Sequence, residues 1–462
     1  MRSVDLDAVA LGSARRWLPV DQRGTRVAIA LSGGLDSVVL LDLLLTLQRS
    51  LPIAVNAFHV NHGLSPNADR WQAFCAELCV TAGIGFLSVK IELDRASPKG
   101  IEGAARAARY AAIEGLAAQS STTIVALAHH ADDQAETVLL QLLRGGAPRG
   151  LAAMAEWRAG NAGKPVLWRP LLAVTRAQIA AHAAARQLRW IDDESNSDVS
   201  LKRNFLRARV MPMLETGFPG YRNGLARAAR FAAETALLLG HLGGADATLV
   251  ADEKGLKMDA LRELGTARTL NVVRHLLRSR GFPVPTSDRL AEFVRQALAA
   301  DIRAHPSLDL DNGQRLCADG GHILIAPADC AFRVVWQAQP VLELAHGRLS
   351  FERRIGAGFC AGRVPSSGLS VRPRKGGEKL KLALDRPHRT LKNLMQEAGI
   401  ALALRDGWPL LVHYDRVVAI PGIGVSVDWR CPPDQQGWTV EWQPFSTVVG
   451  ENNTASVMRR SP

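Results

Sequence analysis

The chain has 462 residues, 47% apolar and 22% charged, and a formal net charge of +12. That length suits about three domains, and the composition is that of a globular protein rather than a disordered or fibrous one. No apolar run reaches the ~18 residues of a membrane span, no basic-then-apolar leader opens the chain, and six cysteines are too sparse for a disulfide framework, so a reducing, cytoplasmic setting is expected.

Residues 27–31 form an apolar run and meet Ser32-Gly33-Gly34-Leu35-Asp36-Ser37. Helical apolar spacing follows from about 36 to 49. Strand, glycine turn and helix together make an anion cradle, because backbone N–H groups and the positive helix end converge on one point. The loop is not the mononucleotide P-loop, since no lysine follows. Gly33 and Gly34 allow close backbone approach, and Ser32 and Ser37 offer hydroxyls. Asp36 would repel phosphate oxygens unless a cation lay between them, so its presence implies Mg²⁺ bridging carboxylate and phosphate. A first-turn cap is the plainer role for Asp36.

Strand-like runs recur at 54–60, 86–91 and 123–128, with helical stretches at 68–82, 101–119 and 132–144. This alternation argues for a parallel sheet covered on both faces. In such sheets ligands bind beyond the carboxyl ends of the strands. "HVNHG" sits at one such end, with His59 and His62, which suit either a nucleotide pocket or a core and turn role. "HHADDQAET" sits at another. There Asp133 and Glu136 share a helical face, where two carboxylates suit an ammonium or a metal. They equally suit a helix start, where acids favour the dipole. Between the two, "IEGAARAARY" sets Arg106 and Arg109 on one face, with Glu102 one turn before Arg106.

"KRNFLRARVMP" carries Lys202, Arg203, Arg207 and Arg209. "ETGFPGYRNG", at 215–224, collects turn formers and marks a boundary. Residues 225–300 read as helical, with Arg222, Arg227, Arg230 and Arg274 as weaker polyanion contacts. Short strands follow to about 360. From Arg372 to Lys392 eight basic residues face two acids, Glu378 and Asp385. Arg372, Arg374, Lys375, Lys379 and Lys392 are therefore candidates for gripping a nucleic-acid backbone. The expected domains are 1–216, 222–350 and 365–445, with a disordered tail at 446–462.

The glycine loop resembles the S-G-G-x-D-S pyrophosphate loop of the ATP pyrophosphatases. "FHVNHGLSPNAD", "IEGAARAARY", "AHHADDQAETVLLQLLRGG", "RPLL" and "WIDDESNSDVSLKRNFLRARVMP" follow in order, then "VRPRKGGEKL" and "LKNLMQEAGIALALRDGWPLL". The series is similar to the bacterial tRNA(Ile)-lysidine synthases. The resemblance implies a Rossmann-like parallel-sheet ATP pyrophosphatase domain, a mainly helical domain and a small α+β C-terminal domain. It implies an ATP-dependent ligase that adenylates C2 of the wobble cytidine in the CAU-anticodon isoleucine tRNA, then joins lysine there. Ser32 to Ser37 and His59 would bind ATP. Asp36, Arg109 and Arg203 would be catalytic, and Asp133 and Glu136 would hold free L-lysine. Arg207 would contact tRNA, with Asn204 completing the R-N-x-x-R match. Whether two copies pair as a homodimer is left open.

The rival readings are a tRNA thiolase built on the same loop and a non-enzymatic RNA-binding protein. A thiolase of that kind needs paired cysteines near the active strands. Cys75 and Cys79 have the wrong spacing and are expected on the back of their helix.

Overall fold

The computed structural model describes residues 4–19, 24–63, 65–91, 100–160, 163–192, 201–301, 304–310, 313–328 and 330–444. The tail at 446–462, most of the "WIDDESNSDVS" segment and the Glu102 side chain lie outside the described residues. The chain divides into two compact units, Met1–Leu237 and Leu238–Pro462. Among the described residues no helix is long and apolar enough to cross a membrane.

The first unit opens with α1 (Leu6–Trp17), then β1 (Thr25–Ala30), α2 (Leu35–Ser50), β2 (Ile53–Asn61), α3 (Ala68–Ala82), β3 (Gly85–Lys90), α4 (Gly100–Gln119) and β4 (Ile124–Ala126). It continues through α5 (Ala131–Leu143), α6 (Pro148–Leu151), β5 (Trp157–Arg158), β6 (Val166–Trp168) and α7 (Arg176–Ala185). One sheet runs in the order β3-β2-β1-β4-β6-β5. All its pairs are parallel except β5 with β6. β1 lies at the centre, which is why Val27, Ala28 and Ile29 are all buried. α2 covers it with Val39, Leu40, Leu43 and Leu44. Each such buried side chain contributes ~1.5–3 kcal/mol over an exposed one. The strand order reverses between β1 and β4, so a crevice opens beyond their carboxyl ends.

After α7 the chain forms α8 (Lys202–Phe205), a π-helical turn over Leu206–Val210, α9 (Met211–Gly217) and the long α10 (Tyr221–Val250). Met211 and Tyr221 pack on Ala135 of α5. This seats the arginine-bearing turns against the helix that carries Asp133 and Glu136.

In the second unit, helices Met258–Leu264, Thr266–Ser279 and Ser287–Ala299 pack on a five-stranded antiparallel sheet. Its first strands, Ala251–Asp252 and Gly255–Lys257, interrupt the helical stretch expected over 225–300. The C-terminal part holds a five-stranded and a four-stranded antiparallel sheet around Trp336, Phe351, Phe359 and Trp438. The architecture is the expected one: a parallel-sheet domain, a mainly helical region and a small α+β region.

Candidate active site

The glycine loop closes β1 and starts α2. Gly33 adopts φ +86°, a left-handed conformation that favours glycine. Its N–H donates to Ser37 Oγ at 3.1 Å, and that hydroxyl donates to the Gly34 carbonyl at 2.9 Å. Ser32 Oγ lies 3.1 Å from Ser37 Oγ. Both serines thus brace the loop. Behind it, the Gly33 carbonyl accepts from Ile191 N–H at 2.9 Å. A Cβ on Gly33 would meet Ile191 Cδ1 at 3.0 Å and Cys75 Sγ at 3.1 Å. Cys75 is therefore not on the back of α3 but directly beneath the loop, as a buried packing residue. Its thiol, pushed up to about 12 by burial, is inert. Gly33→Ala is expected to cost ~1–3 kcal/mol in strain alone. A lower unfolding temperature and weakened ATP binding, measured together, check it.

Asp36 stands in the first turn of α2, behind Gly34, which contributes no side-chain cap. Its Oδ1 is buried and has no hydrogen-bond partner among the described residues. Burial pushes the Asp36 carboxyl above its usual range, partly offset by His130 and Arg176. An orphaned carboxylate oxygen in an anion cradle fits a divalent cation. Among the described residues no cluster of three His, Cys, Asp or Glu side chains is built to hold a metal. A cation at Asp36 would then take most of its ligands from phosphate and water, as Mg²⁺ does.

Across the crevice His130 caps α5. Its Nδ1 accepts from Asp133 N–H at 3.3 Å, and Asp133 Oδ2 accepts from His130 N–H at 3.1 Å. The His130 Nε2 lies 3.4 Å from Asp133 Oδ2 and 3.7 Å from Asp36 Oδ2, so one imidazole joins the loop to the acidic pair. Asp133 therefore does cap the helix, but with one oxygen only.

Its other oxygen, with Glu136, holds two arginines. Arg203 Nε donates to Glu136 Oε2 at 2.7 Å and its Nη2 to Asp133 Oδ1 at 2.9 Å. Arg207 Nε donates to Glu136 Oε1 at 2.7 Å and its Nη2 to Asp133 Oδ1 at 3.3 Å. Glu136 is 1% exposed. Although burial pushes the Asp133 carboxyl up, His130 and Arg203 hold it below its usual range. Four residues from two separate motifs thus form one charge-balanced quartet.

Beside the quartet lies a cavity of about 230 Å³, lined by Asp132, Glu136, Arg176, Arg207, Glu215 and Arg222 among others. Arg222, read from the sequence as a weak polyanion contact, instead donates Nε to Asp132 Oδ1 at 2.6 Å and pairs with Glu215. Asp132 also accepts from Arg176 N–H at 2.8 Å. His130, Asp132 and Arg176 escaped the sequence reading as site residues. His130 and Asp132 lay inside a motif already singled out, which was the available signal; Arg176 had none.

His59 is buried and donates Nδ1 to the Leu31 carbonyl at 2.9 Å. It supports the loop from below, the core role that the sequence left open. Arg109 donates Nε to His62 Nε2 at 3.2 Å, beyond the end of β2.

The basic C-terminal segment splits. Arg372 is buried, with Nη1 donating to Glu378 Oε1 and the Pro373 carbonyl, each at 2.8 Å. Arg372 thus belongs to a buried ion pair of the domain and is not the exposed cation that its place in a basic run suggested. Arg374 pairs with Asp406, and Arg389 with Glu397. Lys375, Lys379 and Lys392 are exposed.

Residues 13–214 match the family profile of the PP-loop domain. Residues 256–324 match the TilS substrate binding domain and 369–442 the TilS substrate C-terminal domain. The tRNA(Ile)-lysidine synthase of Nitrosomonas europaea is 38% identical over 428 residues, covering 91% of this chain and 92% of its own. That of Chromobacterium violaceum is 40% identical over 426 residues, covering 90% and 95%. A solved U34-tRNA thiolase from Methanococcus maripaludis is a distant neighbour, at 19% identity and TM-score 0.43, covering 49% of this chain and 78% of its own. With the loop, the acidic pair and both substrate-domain matches in one chain, and relatives aligned nearly end to end, the protein belongs to the tRNA(Ile)-lysidine synthase family.

Proposed function

We propose that the protein is an ATP-dependent ligase that joins free L-lysine to C2 of the wobble cytidine in the CAU-anticodon isoleucine tRNA. The observation that carries this reading is the juxtaposition at the β1/β4 switch point. An anion loop with an unsatisfied carboxylate faces a carboxylate pair, and His130 lies between them.

The reaction has two displacements. The cytidine C2 oxygen attacks the α-phosphorus of ATP and pyrophosphate leaves. The lysine ε-amine then attacks C2 and AMP leaves. Loop N–H groups and the start of α2 orient the phosphates, and Asp36 would hold Mg²⁺, which offsets charge on the phosphate oxygens. Asp133 and Glu136 receive the lysine ammonium, exchanging Arg203 or Arg207 for it, and a carboxylate accepts the proton that makes the amine nucleophilic. The adjoining cavity is roomy enough for an amino acid. Arg109, and Arg203 once released, stabilise developing negative charge. In this reading residues 1–216 carry the chemistry, and 222–350 and 365–445 hold the tRNA. The direct test measures pyrophosphate release and labelled-lysine incorporation with and without that tRNA. Pyrophosphate release that required a sulfur donor, without lysine incorporation, would mark a thiolase instead.

The exposed lysines make a separate prediction. Lys375→Gln, Lys379→Gln and Lys392→Gln combined should lower the slope of log tRNA affinity against log salt by about 2, at ~0.7–0.9 per phosphate contact. Arg372→Ala should instead cost ~1–3 kcal/mol of stability, because a largely enclosed ion pair is lost while Glu378 keeps the Lys375 and Gly376 N–H groups as donors. Unfolding curves and a salt titration separate the two. An unchanged slope in the triple variant would mean that these lysines face solvent only.

A further inference from the structure

Arg169, in the "RPLL" motif, is a buried cation with no acid paired to it among the described residues. It directly follows β6 and is 3% exposed. Its Nη1 donates to the Ala155 carbonyl at 2.8 Å and its Nε to His129 Nδ1 at 3.3 Å. The Tyr110 hydroxyl lies close enough to add to its electrostatic surroundings. None of these partners carries a charge. Accepting through Nδ1 fixes His129 as a neutral imidazole; burial holds its pKa down at about 3, with Arg169, Arg203 and Arg106 adding to that.

More guanidiniums gather at the same ring. Arg106 and Arg158 place Cζ 5.4 and 5.5 Å from the Tyr110 centroid, and Arg106 Nη2 reaches the Tyr110 hydroxyl at 3.4 Å. Among the described residues, neither these two nor Arg169 has a carboxylate at ion-pair distance, whereas Arg203, Arg207 and Arg222 of the same unit are all paired. A buried charge without a counter-charge costs several kcal/mol, and clustered like charges add to that. Such a group is balanced when an anion completes it.

The position says which anion. β6 flanks β4 on the side away from β1, so Arg169 lies two strands from the glycine loop, which serves the ATP phosphates in the proposed reaction. It is nonetheless next to the reacting groups, since His129 adjoins His130. Guanidinium forks match phosphate oxygens in bidentate geometry.

We propose that Arg106, Arg158 and Arg169, gathered round Tyr110, form a second anion site that takes a backbone phosphodiester of the tRNA beside the cytidine being modified. The assignment rests on the reading of the protein as a tRNA-modifying ligase.

The test uses the full chain. tRNA affinity is measured across a salt series without ATP, and affinity for a non-hydrolysable ATP analogue is measured without tRNA. Arg158→Gln is the first variant, because that side chain is exposed. It should weaken tRNA binding about tenfold and lower the salt slope by ~0.7–0.9, with ATP-analogue affinity unchanged. Arg169→Gln should do the same while leaving the unfolding temperature of the free protein level or higher, since it removes an unbalanced buried charge. Arg169→Lys should restore most of the tRNA affinity. Unchanged tRNA affinity and slope in Arg158→Gln overturn the proposal, as does a clear drop in unfolding temperature in Arg169→Gln, which would mark a structural arginine. Weakened analogue binding with tRNA binding intact would assign the anion to the nucleotide and overturn it as well. Lysine incorporation by the unaltered protein is scored in parallel, so a failed ligase reading is seen separately from a failed phosphate site.

Discussion

Asp36→Asn is expected to lower tRNA-dependent pyrophosphate release by at least ~100–1,000-fold, a loss typical of removing one transition-state charge contact, while leaving the folded protein no less stable than its parent. Activity falls because an amide is a poor ligand for Mg²⁺. The buried Oδ1 of Asp36 has no hydrogen-bond partner among the described residues. The stability half follows from linkage. Burial raises the Asp36 pKa in the folded state, so the folded chain binds that proton more tightly than the unfolded chain does. The resulting stability is present below the unfolded value and is lost as pH rises through the folded one. At neutral pH the ionised carboxylate is therefore a deficit, which asparagine removes. Melting curves should place the variant level with or above the parent at pH 7, and the two should converge as pH falls below about 4. Near-normal pyrophosphate release would sink the metal-bridging role. A variant melting well below its parent at pH 7 would show that the carboxylate is structural.

What was legible in the sequence was local. The loop could be read because strand, glycines and helix are contiguous, and the alternation of runs gave the parallel sheet directly. The six-stranded order was harder, because β6 is three residues long and β5 two. Runs that short carry no period, and Arg169 was lost with them. The quartet was illegible for another reason. Arg203 bonds Glu136 across 67 residues of chain, and the π-helical turn that carries Arg207 has no pattern that composition reveals. Arg372 failed in the opposite direction. A count of charges over 21 residues cannot see that Glu378 folds back onto it inside a core. Charge density along a chain predicts a surface only where the side chains reach the surface.

The acidic pair allows the two half-reactions to be separated. Asp133→Asn with Glu136→Gln keeps size and removes both charges. If the pair holds the lysine ammonium, lysine binding should weaken by ~2–5 kcal/mol, about 30-fold or more. Lysine transfer should collapse and recover only at high lysine. Attack on ATP does not use these carboxylates, so tRNA-driven pyrophosphate release should survive for at least one turnover and leave adenylated tRNA behind. The quartet adds a second consequence. Arg203 and Arg207 would lose every acid that pairs with them among the described residues. Breaking a buried ion pair from one side costs ~3–5 kcal/mol. Their side chains keep 22% and 30% exposure and so retain some hydration, which puts the expected loss at the low end of that range. Melting, pyrophosphate release and labelled-lysine incorporation should therefore be read on one sample. Loss of both half-reactions together with ATP affinity would move the pair to the nucleotide or metal site. Loss of stability alone, with lysine transfer intact, would leave it as a latch for the two arginines and a cap for α5.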